Sequence, residues 1–397
     1  MVTCRAATAT TQGGKTMINN VINNVGSVGS VGRLVVTRKA LVDALAVCKQ
    51  VVPSKARLLL DNGNVIVEST NIDFGVRIFL EYSENKEQLA FTIPVKSALD
   101  FLKTLKSDTV TISHGNSTYI GKPTVTIEDE KGNTATFDSQ SVDDFPIIPL
   151  KNKYIFALGT QQFIDLFDTV SYAASPYNDD TTRQSLKGCL LILDGTKITT
   201  VASDSYRLAL NAIEKYTDLT GQYLIYAQAI NLALKLLKKA KNDVALVTVE
   251  LCEGNKHIAI DLGNTQIVSS IIDYPYPDWK SVIPERQDLP YAVSADREQL
   301  VQALRTISND DYFVTFETQG DYLVLKNKQI TSKILAVSDV PYSITFRIKY
   351  LLDVLERIKA DYVSIRLGKD RYHAAVIEYE SFKYVVMPVI DSLSRRE

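Results

Sequence analysis

The stretch "SALDFLKTLKSDTVTI", beginning at Ser97, returns 253 residues later as "YLLDVLERIKADYVSI", beginning at Tyr350. Laid over one another without a gap, they match Asp100 with Asp353, Leu102 with Leu355, Leu105 with Ile358 and Lys106 with Lys359. Asp108 then falls on Asp361, Val110 on Val363 and Ile112 on Ile365. Apolar residues at helical spacing, followed by β-branched residues at alternate positions, predict a helix, a short turn and a strand. A third copy lies between the two. "AQAINLALKLLKKAKNDVALVTVEL", from Ala227, puts Ile230, Leu234 and Leu237 on one helical face, then Asn242-Asp243 and a Val-rich strand.

An earlier helix repeats as well, in "TRKALVDALAVCKQV" from Thr37, "TQQFIDLFDTVSYA" from Thr160 and "DREQLVQALRTI" from Asp296. Each opens on a residue able to accept backbone N–H bonds at an N-cap. Each places large apolar residues four apart: Leu41 and Leu45, Phe163 and Phe167, Leu300 and Leu304. Segments such as "NVIVES", "LLILDGTKITTVAS", "HIAIDL" and "YLVLKN" alternate as half-buried strands do. The period of about 105–135 residues is far longer than that of a solenoid. The expected fold is α+β: three tandem copies of one domain, two helices packed on antiparallel sheets, at 33–150, 151–286 and 287–391. Exposed linkers are expected near "FPIIPLKNK" and "SVIPERQDLP".

Residues 1–32 hold no acidic residue and little apolar periodicity, as a disordered leader would, with Met17 as an alternative start; residues 392–397 form a C-terminal tail. With only Arg5 and Lys15 basic, the leader lacks the Arg-rich character of a transit peptide. Cys4, Cys48, Cys189 and Cys252 never form C-x-x-C, which argues against a disulfide framework or a structural zinc site and fits a reducing compartment.

Charge is distributed unevenly. The second helices carry +2 at 96–106, +4 at 227–241 and +2 at 347–359, while the whole chain is at −2 and the remainder therefore at −10. One basic helix is commonly a solvated face; three equivalent ones within an acidic chain point to a polyanion, with phosphates as the leading choice. No aromatics interleave Lys235, Lys238, Lys239 and Lys241, so sequence-independent duplex binding is favoured over stacking on single strands.

Signals of catalysis are sparse. His114, His257 and His373 each stand alone in or beside a strand-like segment. "GNSTYIGKP" fails as a phosphate loop, because Gly115 and Gly121 are too far apart and Pro123 replaces the magnesium-binding hydroxyl. The acidic doublets Asp179-Asp180 and Asp310-Asp311 are the one basis for a metal-dependent nuclease, and they also suit solvated loops. No catalytic residue, metal or cofactor is expected, and the chain reads as a non-enzyme.

Four further segments carry a family resemblance: "ASPYNDDTTRQSLKGCLLIL", "ITTVASDSYRLALNAIEKY", "SSIIDYPYPDWKSVIP" and "FKYVVMPVID". In order and spacing they resemble the bacterial DNA polymerase III beta subunit family, the sliding clamps, over about residues 33–391. The resemblance implies a head-to-tail homodimer closed into a ring of six domains around double-stranded DNA. It places the second-helix cations Lys96, Lys103, Lys106, Lys235, Lys238, Lys239, Lys241, Arg357 and Lys359 on the DNA, with Lys55, Arg57 and Arg183 joining them. It also implies a hydrophobic groove that captures short linear motifs of the polymerase and the clamp loader. Carried over by residue, that groove holds Leu186, Ser203, Tyr206, Arg207, Leu208, Pro277, Val282, Tyr350, Val385, Val386, Met387, Pro388 and Val389. The dimer contact is expected near Phe137 and Ile307, and the location is cytoplasmic, at the nucleoid.

Several positions depart from the family pattern. Ser205-Tyr206 stands for Gly-His, "PSKARLLLDNG" replaces a pattern with Arg-Pro and Leu-Pro, and Ile390-Asp391 with "SLSRRE" follows where members end in Arg-Leu. These departures keep open an alternative: a clamp-like ring of a mobile element or second replicon with specialised partners.

Overall fold

A computed structural model describes residues 33–390 except 53, 62, 83–88, 117–121, 241–242 and 309–311. The expected leader and tail, Cys4, Lys241, Asp310, Asp311, Asp391 and the centre of "GNSTYIGKP" lie outside the described residues.

The order of elements repeats three times. The first series is β1 (Arg33–Thr37), α1 (Arg38–Val51), β2 (Ala56–Asp61), β3 (Asn64–Thr70), β4 (Phe74–Tyr82), β5 (Leu89–Ile93), α2 (Val95–Thr104), β6 (Thr109–Asn116), β7 (Pro123–Asp129) and β8 (Thr134–Asp138). The second is β9 (Lys151–Gly159), α3 (Thr160–Asp168), β10 (Gly188–Asp194), β11 (Lys197–Ser203), β12 (Arg207–Glu214), β13 (Thr220–Tyr226), α4 (Ala227–Ala240), β14 (Leu246–Cys252), β15 (His257–Asp261) and β16 (Thr265–Ser270). The third is β17 (Tyr291–Asp296), α5 (Arg297–Ser308), β18 (Phe313–Gln319), β19 (Tyr322–Lys326), β20 (Thr331–Ser338), β21 (Ser343–Arg347), α6 (Ile348–Leu355), β22 (Tyr362–Leu367), β23 (Ala375–Tyr379) and β24 (Phe382–Val386). One sheet order recurs in all three: β5-β2-β3-β4, β13-β10-β11-β12 and β21-β18-β19-β20. The order β1-β6-β7-β8 returns as β17-β22-β23-β24.

By compactness the chain divides into two units, one of residues 1–151 with 259–268, the other of 152–258 with 269–397. In the first unit, α1 and α2 pack together and α1 lies on β3 and β4. Leu41, Ala44, Leu45 and Cys48 of α1 and Val95, Ala98, Leu99 and Leu102 of α2 are buried, as their spacing requires. In the second unit the antiparallel pairing of β12 with β24 joins the second series to the third, with Leu208 opposite Val385 and Arg207 opposite Val386.

The sequence repeat has a physical counterpart. Leu102 and Leu355, Leu105 and Ile358, Val110 and Val363, and Ile112 and Ile365 are buried in both copies. Arg38 donates its backbone N–H to Asp108 O and its Nε to Ser107 O; Arg297 does the same to Asp361 O and Ala360 O. Both guanidiniums also reach the end of the second helix, at Leu102 O and Leu355 O. A cation on the free carbonyls of a helix C-terminus favours both hydrogen bonding and the dipole. In the middle series Thr160 takes this place, its hydroxyl donating to Val244 O.

Two local expectations need correction. Among the three first helices, side-chain N-capping is present only at Asp296, whose Oδ1 accepts from Gln299 N at 2.8 Å. Thr37 stands at the N-cap of α1 without a side-chain cap hydrogen bond, and Thr160 lies one residue inside its helix. The segment "FPIIPLKNK" is not an exposed linker either: Phe145 and Ile148 are buried, with the Arg57 guanidinium over the Phe145 ring and Arg77 donating to Ile148 O.

Candidate functional site

Within the second unit, four distant segments converge on a groove of 420 Å³. A 3-10 turn, Gln184–Lys187, contributes Leu186; the β11–β12 hairpin contributes Ser203 to Leu208 except Asp204; the loop after β16 contributes Tyr276 to Trp279 and Val282; β24 and its exit contribute Val385 and Met387. Leu186, Leu208 and Val385 form a buried apolar floor, while Tyr206, Val282 and Met387 are exposed at the rim. Such a concave apolar surface suits anchor side chains of a peptide.

The hairpin turn is set by its polar residues. Asp204 Oδ1 accepts the N–H groups of Tyr206 and Arg207, and the Ser203 hydroxyl donates to Arg207 O while accepting from Ser205 N. Ser205 is held at φ 77°, where a Cβ is unfavourable. Tyr206 O accepts from Met387 N at 2.9 Å, which fixes the chain end beside the hairpin.

Of the groove residues expected from sequence, Leu186, Ser203, Tyr206, Arg207, Leu208, Pro277, Val282, Val385 and Met387 do line it. Val386 is wholly buried, since alternation along β24 turns it away from Val385. Tyr350 lines two neighbouring cavities, and Pro388 and Val389 lie past the groove, where Val389 N donates to Thr345 O. Ser205, which stands where the family pattern has glycine, lines the groove as well, and Tyr276, Asp278 and Trp279 join it beyond the residues expected. An aromatic ring between Pro277 and Val282 was the available signal.

The cations divide into three groups. Lys96, Lys103, Lys106, Lys235 and Lys239 are exposed on α2, its following turn and α4. Lys238 pairs with Asp168 at 2.7 Å and Lys359 with Asp165 at 2.9 Å, while half-buried Arg357 donates to Asp168 O and covers the Tyr172 ring. Lys55 donates to Gln140 Oε1, and Arg183 lines the groove.

Arg57 is a correction. It is buried opposite Glu68 in the β2–β3 register, and Glu68 in turn faces Arg77 of β4. The contacts are 2.5 Å and 2.7 Å, so Arg57 is committed to an internal ion network and does not reach a phosphate. Ile307 is a second correction: it continues the Leu300–Leu304 stripe of α5 and is fully buried, so it presents no surface. Phe137, half-buried on edge strand β8, packs edge-on against Phe101.

The family described as DNA polymerase III beta subunit, central domain, matches residues 157–278. The beta sliding clamp of Haemophilus influenzae is 25% identical over 360 residues, covering 84% of this chain and 90% of that one. The beta sliding clamp of Pseudomonas aeruginosa is 25% identical over 385 residues, covering 89% and 98%. Residues 157–278 thus match the central domain of that family, and the chain is similar to beta sliding clamps over most of its length. The fold agrees with that of solved beta clamps: the Pseudomonas aeruginosa DNA polymerase sliding clamp superposes with TM-score 0.77 at 22% identity, over 91% of this chain and all of that one. A DnaN sliding clamp from Bartonella birtlesii, bound to griselimycin, gives 0.79 at 22% identity with the same coverage. On these likenesses the chain reads as a DNA sliding clamp, a processivity factor in replication and a scaffold without catalysis.

The polar features that resembled enzyme signals have other places in this chain. Asp179 accepts from the backbone and hydroxyl of Thr181, and Asp180 lies 3.6 Å from Lys187. His114 stacks on Phe91, and His373 contacts Asp370. Cys48, Cys189 and Cys252 are buried free thiols. Among the described residues no group of His, Cys, Asp and Glu is arranged to hold a metal ion, and no helix is long and apolar enough to cross a membrane.

Proposed function

We propose that two copies of this chain close head to tail around duplex DNA, with the second-helix cations toward the phosphates. The groove then holds the polymerase and the clamp loader by short linear motifs. One observation carries this reading: α2, α4 and α6 each bury an apolar face, and lysines on or just after each helix stay exposed. Contacts to phosphate alone hold a duplex without fixing a position along it, which is what sliding needs. Edge strand β8 with Phe137 offers a surface for the second copy, and a heterologous contact of this kind closes only when its rotation completes a turn. A clamp on chromosomal DNA works in the cytoplasm, at the nucleoid.

The test is topological. The protein is loaded onto a nicked circular plasmid with its loader, and retention is measured before and after the plasmid is linearised. Retention on circles and escape from linear ends is expected. Replacing Lys235, Lys238 and Lys239 by Glu is expected to abolish loading while the dimer mass is unchanged. Equal retention on linear and circular DNA would overturn the encircling reading.

A further inference from the structure

Arg347 ends β21 beside the groove, and it is an exposed cation without a carboxylate partner among the described residues. Its guanidinium carbon lies 5.9 Å from the Tyr206 ring centroid, 5.9 Å from that of Phe313 and 5.5 Å from that of Tyr350. Its Nη1 reaches the Tyr350 hydroxyl at 3.5 Å. Three rings thus hold a charge in one place, and one of them, Tyr206, is also a wall of the groove. Arg347 lines two cavities of 610 and 750 Å³.

Apart from Arg183, the other cations around the groove and these cavities are already engaged. Arg207 is bound by Asp204 and Asp353, Lys349 by Asp353, and Lys187 faces Asp180. Glu356, which shares a cavity with Arg347, is paired with Arg305 at 2.9 Å. Arg183 is exposed on the groove but has no ring or carboxylate fixing it among the described residues. Arg347 is therefore the cation at the rim that is both oriented and uncompensated, and a guanidinium stacked on rings keeps its in-plane donors free for a carboxylate.

We propose that Arg347 selects partners by charge: the peptide that fills the groove carries an aspartate or glutamate flanking its apolar anchor, and this carboxylate docks on the Arg347 guanidinium. The inference rests on the groove reading above and adds a specificity determinant to it. An acidic flank is complementary to this rim, and a basic one is repelled by it.

The experiment uses the full chain and fluorescein-labelled synthetic peptides that share one Leu-Phe anchor. Each flanking position in turn is Glu, Gln or Lys, and affinity is read by anisotropy. At one position the Glu peptide should bind about three- to tenfold tighter than its Gln counterpart at low salt, the range of a partly exposed ion pair on a pre-oriented cation. That advantage should shrink as ionic strength rises. In Arg347→Gln the Glu advantage should vanish while the Gln peptide binds as before, and Arg347→Glu should favour the Lys peptide. Met387→Asp is the control for the groove. If Met387→Asp abolishes binding yet the Glu preference is absent, or survives Arg347→Gln, the Arg347 assignment is overturned alone. If Met387→Asp leaves every peptide bound as before, the groove reading and this inference fall together.

Discussion

Arg207, the first residue of β12, places its Nη1 2.7 Å from Oδ2 of Asp353 in α6, tying the second series of elements to the third at the side of the groove. The same guanidinium donates from Nε to Asp204 and from Nη2 to Tyr172 O, and it stacks 4.4 Å from the Tyr350 ring centroid. Each of the three guanidinium nitrogens donates one hydrogen bond. The cation of this groove wall is thus compensated by two carboxylates, in contrast to Arg347 nearby.

Replacing Arg207 by Ala leaves Asp204 and a partly buried Asp353 with fewer partners, so stability should fall by about 3–5 kcal/mol, the range for breaking a buried pair. Arg207→Lys should recover little of this, because an ammonium cannot serve three acceptors spread in one plane. Urea unfolding of the three proteins measures both statements.

Ser205 sits at φ 77° where the family pattern has glycine. Its side chain is exposed, so removing it forfeits little packing. Ser205→Gly should therefore raise stability by about 1 kcal/mol, by relief of the left-handed strain. Thermal unfolding would show it as a higher midpoint, and Ser205→Val, with a β-branched side chain there, should lower it.

The acid response of the first unit should depend on Glu68. Burial alone would push its carboxyl up, but Arg77 and Arg57 outweigh that and hold it below the usual glutamate range. A group depressed in the folded state stabilises fully above its unfolded value, roughly 4.3, and loses that contribution as pH falls through the folded value. Glu68→Gln should cost about 3–5 kcal/mol near neutrality, because two buried guanidiniums lose their charge partner. The gap between wild type and variant should narrow on acidification below the glutamate range. Denaturant titrations across pH test this, and a gap independent of pH would refute it.

Much of the repeat was legible because it is written in local periodicity. The buried pairs Leu102 with Leu355 and Ile112 with Ile365 need only helical and strand spacing to be found. Arg57 was misread for the opposite reason: its neutraliser, Glu68, sits on the next strand, and a cross-strand register is not visible in a single sequence. Ile307 was open to correction from sequence, as the next residue of the Leu300–Leu304 stripe. The groove is the least local feature, assembled from segments around residues 186, 205, 279 and 386, and it is legible only through a family pattern; Trp279 lies within that pattern but was not among the groove residues carried over from it. The two ion pairs from α3 were likewise hidden, since they join residues 70 and 194 positions apart.

Those two pairs give the last prediction. Asp165 and Asp168 of α3 engage Lys359, just after α6, and Lys238 of α4, cations of two different series. Asp168 also lies 3.9 Å from Arg357 Nε. Carboxylates placed among cations lower the local positive potential, so these lysines attract phosphates less strongly than exposed Lys96, Lys103 and Lys106. Replacing Asp165 and Asp168 by Asn removes two negative charges per chain while keeping hydrogen-bond acceptors. DNA association should tighten, and the log–log salt dependence should steepen by up to ~0.9 for each further phosphate that is neutralised. Replacing Lys96, Lys103 and Lys106 by Ala should do the reverse, and by more than Lys238→Ala or Lys359→Ala do individually. Salt titrations of DNA association by these variants measure the ordering. If the double Asn variant binds DNA with the wild-type slope, the second-helix lysines do not face the duplex in the bound state.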